Sequence, residues 1–449
     1  MRRWIAGVLF LALPSLAQAA PSVQEILLQA KPAVALVVSE VAAEVTATCP
    51  TGGKQQVSPV PFRETGTGWF VNPNGWLVTN GHVASPAYRP KPEISRELLE
   101  RGVRQACGDL SEQALTAAIG HAKIKLDPSI SVLLSNGMRL TATVSKYSPP
   151  VAGEGMSGRD LALLKLEAAD MPSLMFGDSS NARIGDKIHI LGFPGVVLSH
   201  ELLNASAKVE ASVTNGAISG FKQDVANQPV IQVDAPAAWG NSGGPVVASD
   251  GKVLGVLTFV TLDSGNQGAI VQGFNFVSPS AAVRDFLKGT DVKLDEVSRF
   301  NAEWHAGLRD FFSGSYGRAE KHFEEANRLL PELTDVRRMI AEAKNPPPRP
   351  FPWLPLAVGA LVLVLAAAAA FLVRRARRNR YRIRPAQVMR LIAASPDNPP
   401  LILDVRDGPT YAQSPVKIQD ARHFPPEALK PGARVLGFDV NRTVVAYCS

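Results

Sequence analysis

The pattern of apolar and polar positions divides the chain into pieces of different character. Residues 22–290 consist of short apolar or alternating runs separated by glycine-rich turns, which is typical of an all-β domain. Residues 296–344 place apolar side chains at helical spacing, and residues 345–352 are rich in proline. Residues 353–373 are apolar and uncharged over about one bilayer span. We therefore expect a β-rich domain, a helical hairpin, a semi-rigid linker and one transmembrane helix, followed by a further piece at 381–449.

The first 19 residues have the three parts of a secretory signal peptide. Arg2 and Arg3 give a positive start, residues 4–13 are apolar, and Ala17-Gln18-Ala19 supplies a small-x-small end. An uncleaved anchor is the alternative, and the shortness of the apolar stretch disfavours it. We expect an exported protein, in the periplasm of a bacterium.

Charge is distributed unevenly along the chain. There are 47 Lys and Arg residues against 40 Asp and Glu residues, and the excess stands in one run directly after the apolar segment. A basic run beside an apolar segment indicates a membrane flank that stays in the cytoplasm, and we expect no nucleic-acid partner. The run consists of Arg374, Arg375, Arg377, Arg378, Arg380, Arg382 and Arg384.

The candidate chemistry begins at a glycine-rich turn, Gly240-Asn241-Ser242-Gly243-Gly244-Pro245, which stands between two apolar runs. Glycines on both sides of one serine let the backbone close around its hydroxyl without Cβ clashes. They also allow the amides of Gly240 and Ser242 to point at one spot, as an oxyanion hole requires. An ordinary Gly-Ser turn is the alternative, so the rest of the chain must supply a base and an orienting acid.

Two further residues at strand ends complete the pattern. His82 follows the apolar run 75–79, and Asp160 opens the alternating run 161–166. A serine hydroxyl is a weak nucleophile until an imidazole takes its proton, and the imidazole needs a carboxylate to fix its tautomer. The order His, Asp, Ser along the chain is that of the chymotrypsin fold.

Five motifs carry a family resemblance: TGTGWFV (65–71), TNGHV (79–83), RDLALLKL (159–166), GNSGGPV (240–246) and GFNFVSP (273–279). Together they resemble trypsin-like serine proteases, and among these the bacterial HtrA/Deg type, over roughly residues 22–290. The resemblance implies a chymotrypsin-like double β-barrel that cleaves polypeptides without a metal or cofactor. It also implies roles for His82 as general base, Asp160 as orienting acid and Ser242 as nucleophile, with an oxyanion hole at Gly240 and Ser242.

The resemblance also indicates where the substrate pocket should lie. Pro236 stands six residues before Ser242, where relatives have the pocket base, and Trp239 and Thr258 are expected nearby. We find no acid there, so a small to medium apolar residue before the cut is expected. The chain lacks an Ile-Val-Gly-Gly-type start, so its site must be ordered by other means, with substrate or a homo-oligomer as candidates.

The residues after the protease-like region resemble two other families. Residues 301–331 resemble one tetratricopeptide repeat, and an unrelated helical hairpin is the alternative. Residues 381–449 look like the first part of a rhodanese-like domain, with Cys448 at a strand end. The loop that would cradle a thiolate is absent, so we expect a truncated or vestigial segment without sulfur transfer. The repeat's spacing is carried by Gly307, Gly314, Tyr316, Ala319, Phe323, Ala326 and Pro331.

The cysteines fit this topology. Cys49 and Cys107 both fall on the exported side, in loops near the first barrel, and we expect a disulfide between them, with two free thiols as the alternative. The sequence as a whole predicts a membrane-tethered periplasmic serine endopeptidase. A non-catalytic scaffold that binds exported polypeptides is the competing interpretation, and a sulfurtransferase with an exported sensor is a third.

Overall fold

The computed structural model describes residues 21–50, 52–150, 158–263, 269–346, 353–428, 439 and 441–448, without the side chains of 259–263 and 269–272. The predicted signal peptide and most of the predicted proline-rich linker lie outside these residues. Contacts within the chain define two compact units, which divide between Pro347 and Pro348.

The first unit begins with a closed six-stranded barrel. Strand order is β1-β3-β4-β7-β6-β5, with β5 pairing back onto β1, while β2 extends the sheet beyond the end of β3. The barrel interior contains fully buried Val37, Phe70, Leu77 and Leu164. The strands are β1 (Val34–Cys49), β2 (Gly53–Val57), β3 (Phe62–Asn72), β4 (Trp76–Thr79), β5 (Lys123–Leu133), β6 (Arg139–Ser148) and β7 (Leu161–Leu166).

A second closed barrel follows in the same unit. Its strand order is β10-β13-β12-β11-β8-β9, and its interior contains Ile190, Ile231, Val246 and Leu257. Two six-stranded antiparallel barrels in succession confirm the prediction of a chymotrypsin-like double barrel. The strands are β8 (Lys187–Gly192), β9 (Ser212–Gln223), β10 (Pro229–Val233), β11 (Pro245–Ala248), β12 (Val253–Asp263) and β13 (Ala269–Pro279).

Ten α-helices among the described residues of this unit surround or connect the barrels. A Cβ atom on Gly102 of α3 would lie 2.6 Å from Val45 Cβ, so this helix packs closely onto β1. The ranges are α1 (Val23–Ala30), α2 (Gly81–Tyr88), α3 (Pro92–Cys107), α4 (Glu112–His121), α5 (Gly195–Leu198), α6 (Ala205–Lys208), α7 (Ser280–Leu287), α8 (Arg299–Phe312), α9 (Tyr316–Leu329) and α10 (Thr334–Lys344).

A disulfide joins the last residue of β1 to the last residue of α3. Cys49 and Cys107 are bonded with a Cα–Cα distance of 5.3 Å across a sequence separation of 58 residues. The predicted pairing is confirmed. The bond fastens the inserted helix pair, α3 and α4, to the first barrel.

The helical layer, α8 to α10, packs on α1 and shares a core with the first barrel. Trp304 and Phe323 are fully buried in the same cluster as Val37 and Phe70. Trp304 Nε1 donates a 2.8 Å hydrogen bond to the carbonyl of Leu28 in α1. The layer is therefore an integral part of the first unit, whereas its assignment as a tetratricopeptide repeat stays a prediction.

Charged residues join the helical layer to the rest of the unit at a second place, which we call the seam and define as Lys31, Glu210, Asp335 and Arg338. Lys31 Nζ contacts the Glu210 carboxylate and lies 3.2 Å from Asp335 Oδ1. Arg338 contacts Asp335 and lies 3.4 Å from Glu210 Oε1. Each cation thus bridges the layer to the segment that precedes β9.

The second unit begins with a long exposed helix, α11 (Trp353–Asn379). Within the described residues it is the one helix long and apolar enough to cross a membrane. A small parallel sheet of order β15-β14-β16 follows. Its elements are α12 (Pro385–Ala394), β14 (Leu401–Asp404), α13 (Gly408–Gln413), β15 (Arg422–His423) and β16 (Val444–Tyr447).

Candidate active site

The strand pairing of the first barrel brings His82 and Asp160 together. His82 is the second residue of α2, which starts two positions after β4 ends, and Asp160 directly precedes β7. These strands pair antiparallel with Thr79 opposite Ala162, so the end of β4 lies beside the start of β7. The two candidate residues therefore meet at one rim of the barrel.

Asp160 holds His82 at two points. Its Oδ1 accepts a 2.8 Å hydrogen bond from the His82 backbone amide, and its Oδ2 lies 2.8 Å from His82 Nδ1. Since a carboxylate only accepts, this contact places the proton on Nδ1 and leaves Nε2 as the basic nitrogen. The Asp160 side chain is 9% exposed, and its backbone adopts a left-handed φ of 49°.

Two residues that the sequence did not identify as part of the triad support Asp160. Thr258 Oγ1 donates to Asp160 Oδ2 at 3.1 Å, and Asn80 Nδ2 donates to the Asp160 carbonyl at 2.8 Å. Asn80 Nδ2 also lies 3.3 Å from Thr258 Oγ1. Thr258 was expected beside the substrate pocket, but its hydroxyl is directed at the carboxylate. In the sequence, the one feature that could have indicated a role for Asn80 at the site was its position two residues before His82.

The electrostatic surroundings of His82 favour its protonated form. Burial lowers the pKa of the imidazole, whereas the hydrogen bond and charge of Asp160 and the charge of Glu64 raise it. The net result is a pKa above the ordinary value. Neutral His82, the form that can accept a proton, therefore becomes the majority only at a correspondingly higher pH.

The turn that carries Ser242 is held against the same cleft by β3. Thr67 donates from its amide to the Ser242 carbonyl at 2.8 Å and from its hydroxyl to the Gly240 carbonyl at 2.7 Å. Gly243 has a φ of 87°, and a Cβ atom there would lie 2.1 Å from the Thr67 carbonyl oxygen, so only glycine fits. These contacts lock the serine turn of the second barrel onto the first.

The predicted oxyanion hole lies at the start of that turn. Asn241 donates to the Ala238 carbonyl at 3.1 Å, and Gly240 takes a φ of 96° as this turn requires. Across the described residues, the amides of Gly240 and Ser242 donate to no protein acceptor, and no hydrogen bond joins Ser242 to His82. Catalytic hydrogen bonds often tighten only once substrate is bound.

The remaining residues predicted for the pocket lie on the surface beside the turn. Trp239 is 61% exposed, and its carbonyl accepts a 2.6 Å hydrogen bond from the amide of Gly195. Pro236 is exposed, and its carbonyl accepts from Thr214 Oγ1 at 2.7 Å. The sequence also indicates residues 253–259 and 271–277 as flanks of the pocket, and the side chains of 259, 271 and 272 lie outside the described residues. Within the described residues, no group of three His, Cys, Asp or Glu side chains could hold a metal ion.

Comparisons with known proteins agree with this geometry. Residues 66–256 match the family model of the trypsin-like peptidase domain. Human serine protease HTRA4 is 30% identical over 201 residues, covering 44% of this chain and 37% of that protein. A probable periplasmic DegP-like serine endoprotease of Chlamydia pneumoniae is 28% identical over 219 residues, covering 48% of this chain and 32% of that protein.

A solved structure of the HtrA-type protease AlgW with a tripeptide is also similar, with 22% identity over 60% of this chain and 64% of that one and a TM-score of 0.37. The match to the family model, and not this structural similarity, shows that the chain contains a trypsin-like peptidase domain. Its similarity is to serine proteases of the HtrA/DegP type, and it spans about a third of the length of the two curated relatives named above.

Proposed function

We propose that this protein is a membrane-anchored serine endopeptidase that cleaves exported polypeptides in the periplasm. The observation that supports this most is the double contact of Asp160 with His82, in a cleft to which β3 also fastens the Ser242 turn. A binding surface alone has no need for a buried carboxylate, an oriented imidazole and a glycine-flanked serine at one place.

In the proposed reaction, Ser242 Oγ attacks the scissile carbonyl while His82 Nε2 takes the hydroxyl proton of Ser242. Asp160 keeps Nδ1 protonated and stabilises the imidazolium, and the amides of Gly240 and Ser242 bind the oxyanion. His82 then gives its proton to the leaving amine as the C–N bond breaks. Water, deprotonated by His82, attacks the acyl-enzyme, and the proton returns to Ser242 as the ester bond breaks.

The proposed location depends on two apolar segments, the predicted signal peptide and α11. A signal peptide at 1–19 would export the peptidase, and α11 would anchor it, with the arginine run after Val373 in the cytoplasm. The Chlamydia relative is named as periplasmic, which supports the same compartment here. An apolar side chain before the cut is the proposed preference, near Pro236 and Trp239.

The proposal is tested on the full chain in detergent-solubilised membranes. A fluorophosphonate probe should label the wild type and a Ser249→Ala control, which changes an exposed serine after β11. Ser242→Ala should abolish labelling and lower casein cleavage by several orders of magnitude, because the triad acts as a unit. A folded wild type that takes up no probe, with cleavage unaffected by Ser242→Ala, would refute the proposal and favour the scaffold.

A further inference from the structure

A second carboxylate, that of Glu64, faces His82 from β3. A Cβ atom on Gly66 would lie 2.5 Å from Val83 Cγ2, so this face of β3 lies directly under the start of α2. Side chains two apart on a strand share a face, and Gly66 has none, so Glu64 supplies the next side chain on the α2 face.

The neighbouring strand places Glu64 on the same face independently. Glu64 is paired with Ser39 of β1, and residues directly opposite in an antiparallel pair share a face. The Ser39 hydroxyl accepts a 3.0 Å hydrogen bond from the amide of Ala87 in α2. Glu64 therefore lies at the margin of the surface that α2 covers.

The charge of Glu64 acts on the catalytic candidate. Burial lowers the pKa of His82, and Asp160 raises it. The Glu64 carboxylate is a further influence that raises this pKa. Burial raises the pKa of Glu64 itself, and the charges of His82 and Lys91 oppose that rise. Glu64 is half-buried and Lys91 is exposed, so the carboxylate remains open to a mobile cation. The proposed reaction assigns no step to Glu64.

In the proposed reaction, Glu64 would lie on the leaving-group side of the cleft. In this reaction the leaving amine receives its proton from His82, so the chain after the scissile bond would start beside His82, on the side of the first barrel. Thr67 contacts the Ser242 carbonyl, and Glu64 precedes it by three positions, about 10 Å along the strand. An extended substrate covers the same distance per residue, so it reaches Glu64 within about three residues of the cut.

We propose that Glu64 is a specificity-determining residue that selects polypeptides with a lysine or arginine among the first three residues after the scissile bond. This inference rests on the proposed endopeptidase function. The substrate cation would lie beside a partly desolvated carboxylate, where its charge is weakly screened.

Two series of peptides test the proposal with the full chain in detergent. Internally quenched peptides carry lysine, alanine or glutamate at each of the three positions, and kcat/KM is measured for each. The ratio between two peptides on the same enzyme cancels any effect of a variant on His82 itself. We expect lysine to exceed alanine by about fivefold at one position at least, a ratio typical of one partly screened charge pair.

The variants then locate the preference. Glu64→Gln should bring the lysine-to-alanine ratio to about one, and Glu64→Lys should favour glutamate, as expected of a single charge pair. Glu40→Gln is the matched control, because Glu40 stands on β1 with Arg63 Nε 2.8 Å away, and it should keep the wild-type ratio. Fluorophosphonate labelling confirms that each variant has a folded site.

The outcomes separate this inference from the function on which it rests. A labelled wild type with equal rates for lysine and alanine peptides would overturn the role of Glu64 and leave the endopeptidase intact. An unchanged lysine preference in labelled Glu64→Gln would do the same. A wild type that neither labels nor cleaves would overturn both.

Discussion

Asp160 in the cleft and Asp335 in the seam are both buried carboxylates, with side chains 9% and 4% exposed, but their partners differ in kind. Asp160 accepts from an imidazole, a hydroxyl and a backbone amide. Asp335 faces the fixed positive charges of Lys31 and Arg338. Within the described residues, none of the hydrogen-bond partners of Asp160 carries a permanent charge, so His82 can gain and lose a proton beside it. The permanent charges around Asp335 can only hold two parts of the unit together.

The largest expected effect is that of Asp160→Asn, which should change the catalytic rate and hardly change the stability of the first unit. Asp160→Asn should lower kcat about 10⁴-fold, because an amide stabilises the wrong imidazole tautomer. Thermal unfolding of the first unit should change little, since the amide oxygen can still accept from the His82 amide. Peptide kinetics and calorimetry on the same preparation check this. A large fall in the unfolding temperature would mean that Asp160 is as structural as Asp335.

The seam should behave in the opposite way. Lys31→Met leaves Glu210 and Asp335 with Arg338 as their shared cation, and we expect a loss of about 3 kcal/mol in the unfolding free energy of the first unit. Hydrogen exchange measured by mass spectrometry should report the loss in α10, while fluorophosphonate labelling persists. Lys54→Met, at an exposed position of β2, is the control. Unchanged exchange in α10 would remove the seam's assigned role.

One titratable group of the helical layer, His305, sharpens the comparison, because it is half-buried and its surroundings favour the neutral form. Burial and the charge of Arg309 lower the pKa of His305 from 6.5 to about 4, despite a hydrogen bond with the Gln29 backbone. Between these two values the unfolded chain binds the proton and the folded chain does not, so stability is lost as pH falls. After allowance for partial exposure, we expect about 2 kcal/mol, visible in urea unfolding. His305→Gln should flatten this dependence.

The smallest expected effect tests the support of Asp160. Thr258→Val removes one of the hydrogen bonds to Oδ2 while keeping the shape of the side chain, and kcat should fall about tenfold. Stability should fall by only about 1 kcal/mol. If kcat is unchanged while the preference for the residue before the cut shifts, Thr258 belongs to the substrate pocket as the sequence first indicated.

Local sequence signals indicate three candidate residues of the site, whose catalytic roles stay predictions. His82, Asp160 and Ser242 each stand at a strand end within a short motif, and pairing of β4 with β7 brings the first two together. The role of Thr258 was not predictable, because β12 shifts its register between Leu257 and Phe259, and the shift decides which way the hydroxyl points.

Contacts between segments far apart along the chain could also not be predicted from the sequence. The contact of Lys31 with Asp335 spans 304 residues, and both were unremarkable as charged residues on short helices. The disulfide was predictable because the predicted compartment and the small number of cysteines restricted the choice of partners. The surface on which the helical layer packs could not be decided from the sequence, since an amphipathic helix does not specify what covers it.

The hydrogen bond from Trp304 to Leu28 has a consequence for the order of events during synthesis. It joins residues 276 positions apart, and α1 at the start of the unit has its partner α8 only after both barrels have been made. The first barrel therefore cannot complete its core while the second is being made. Contacts of such long sequence separation are slow to form, so docking of α8 is expected to be a late step in folding. The nascent protein would stay incomplete until almost all of the chain before α11 has emerged.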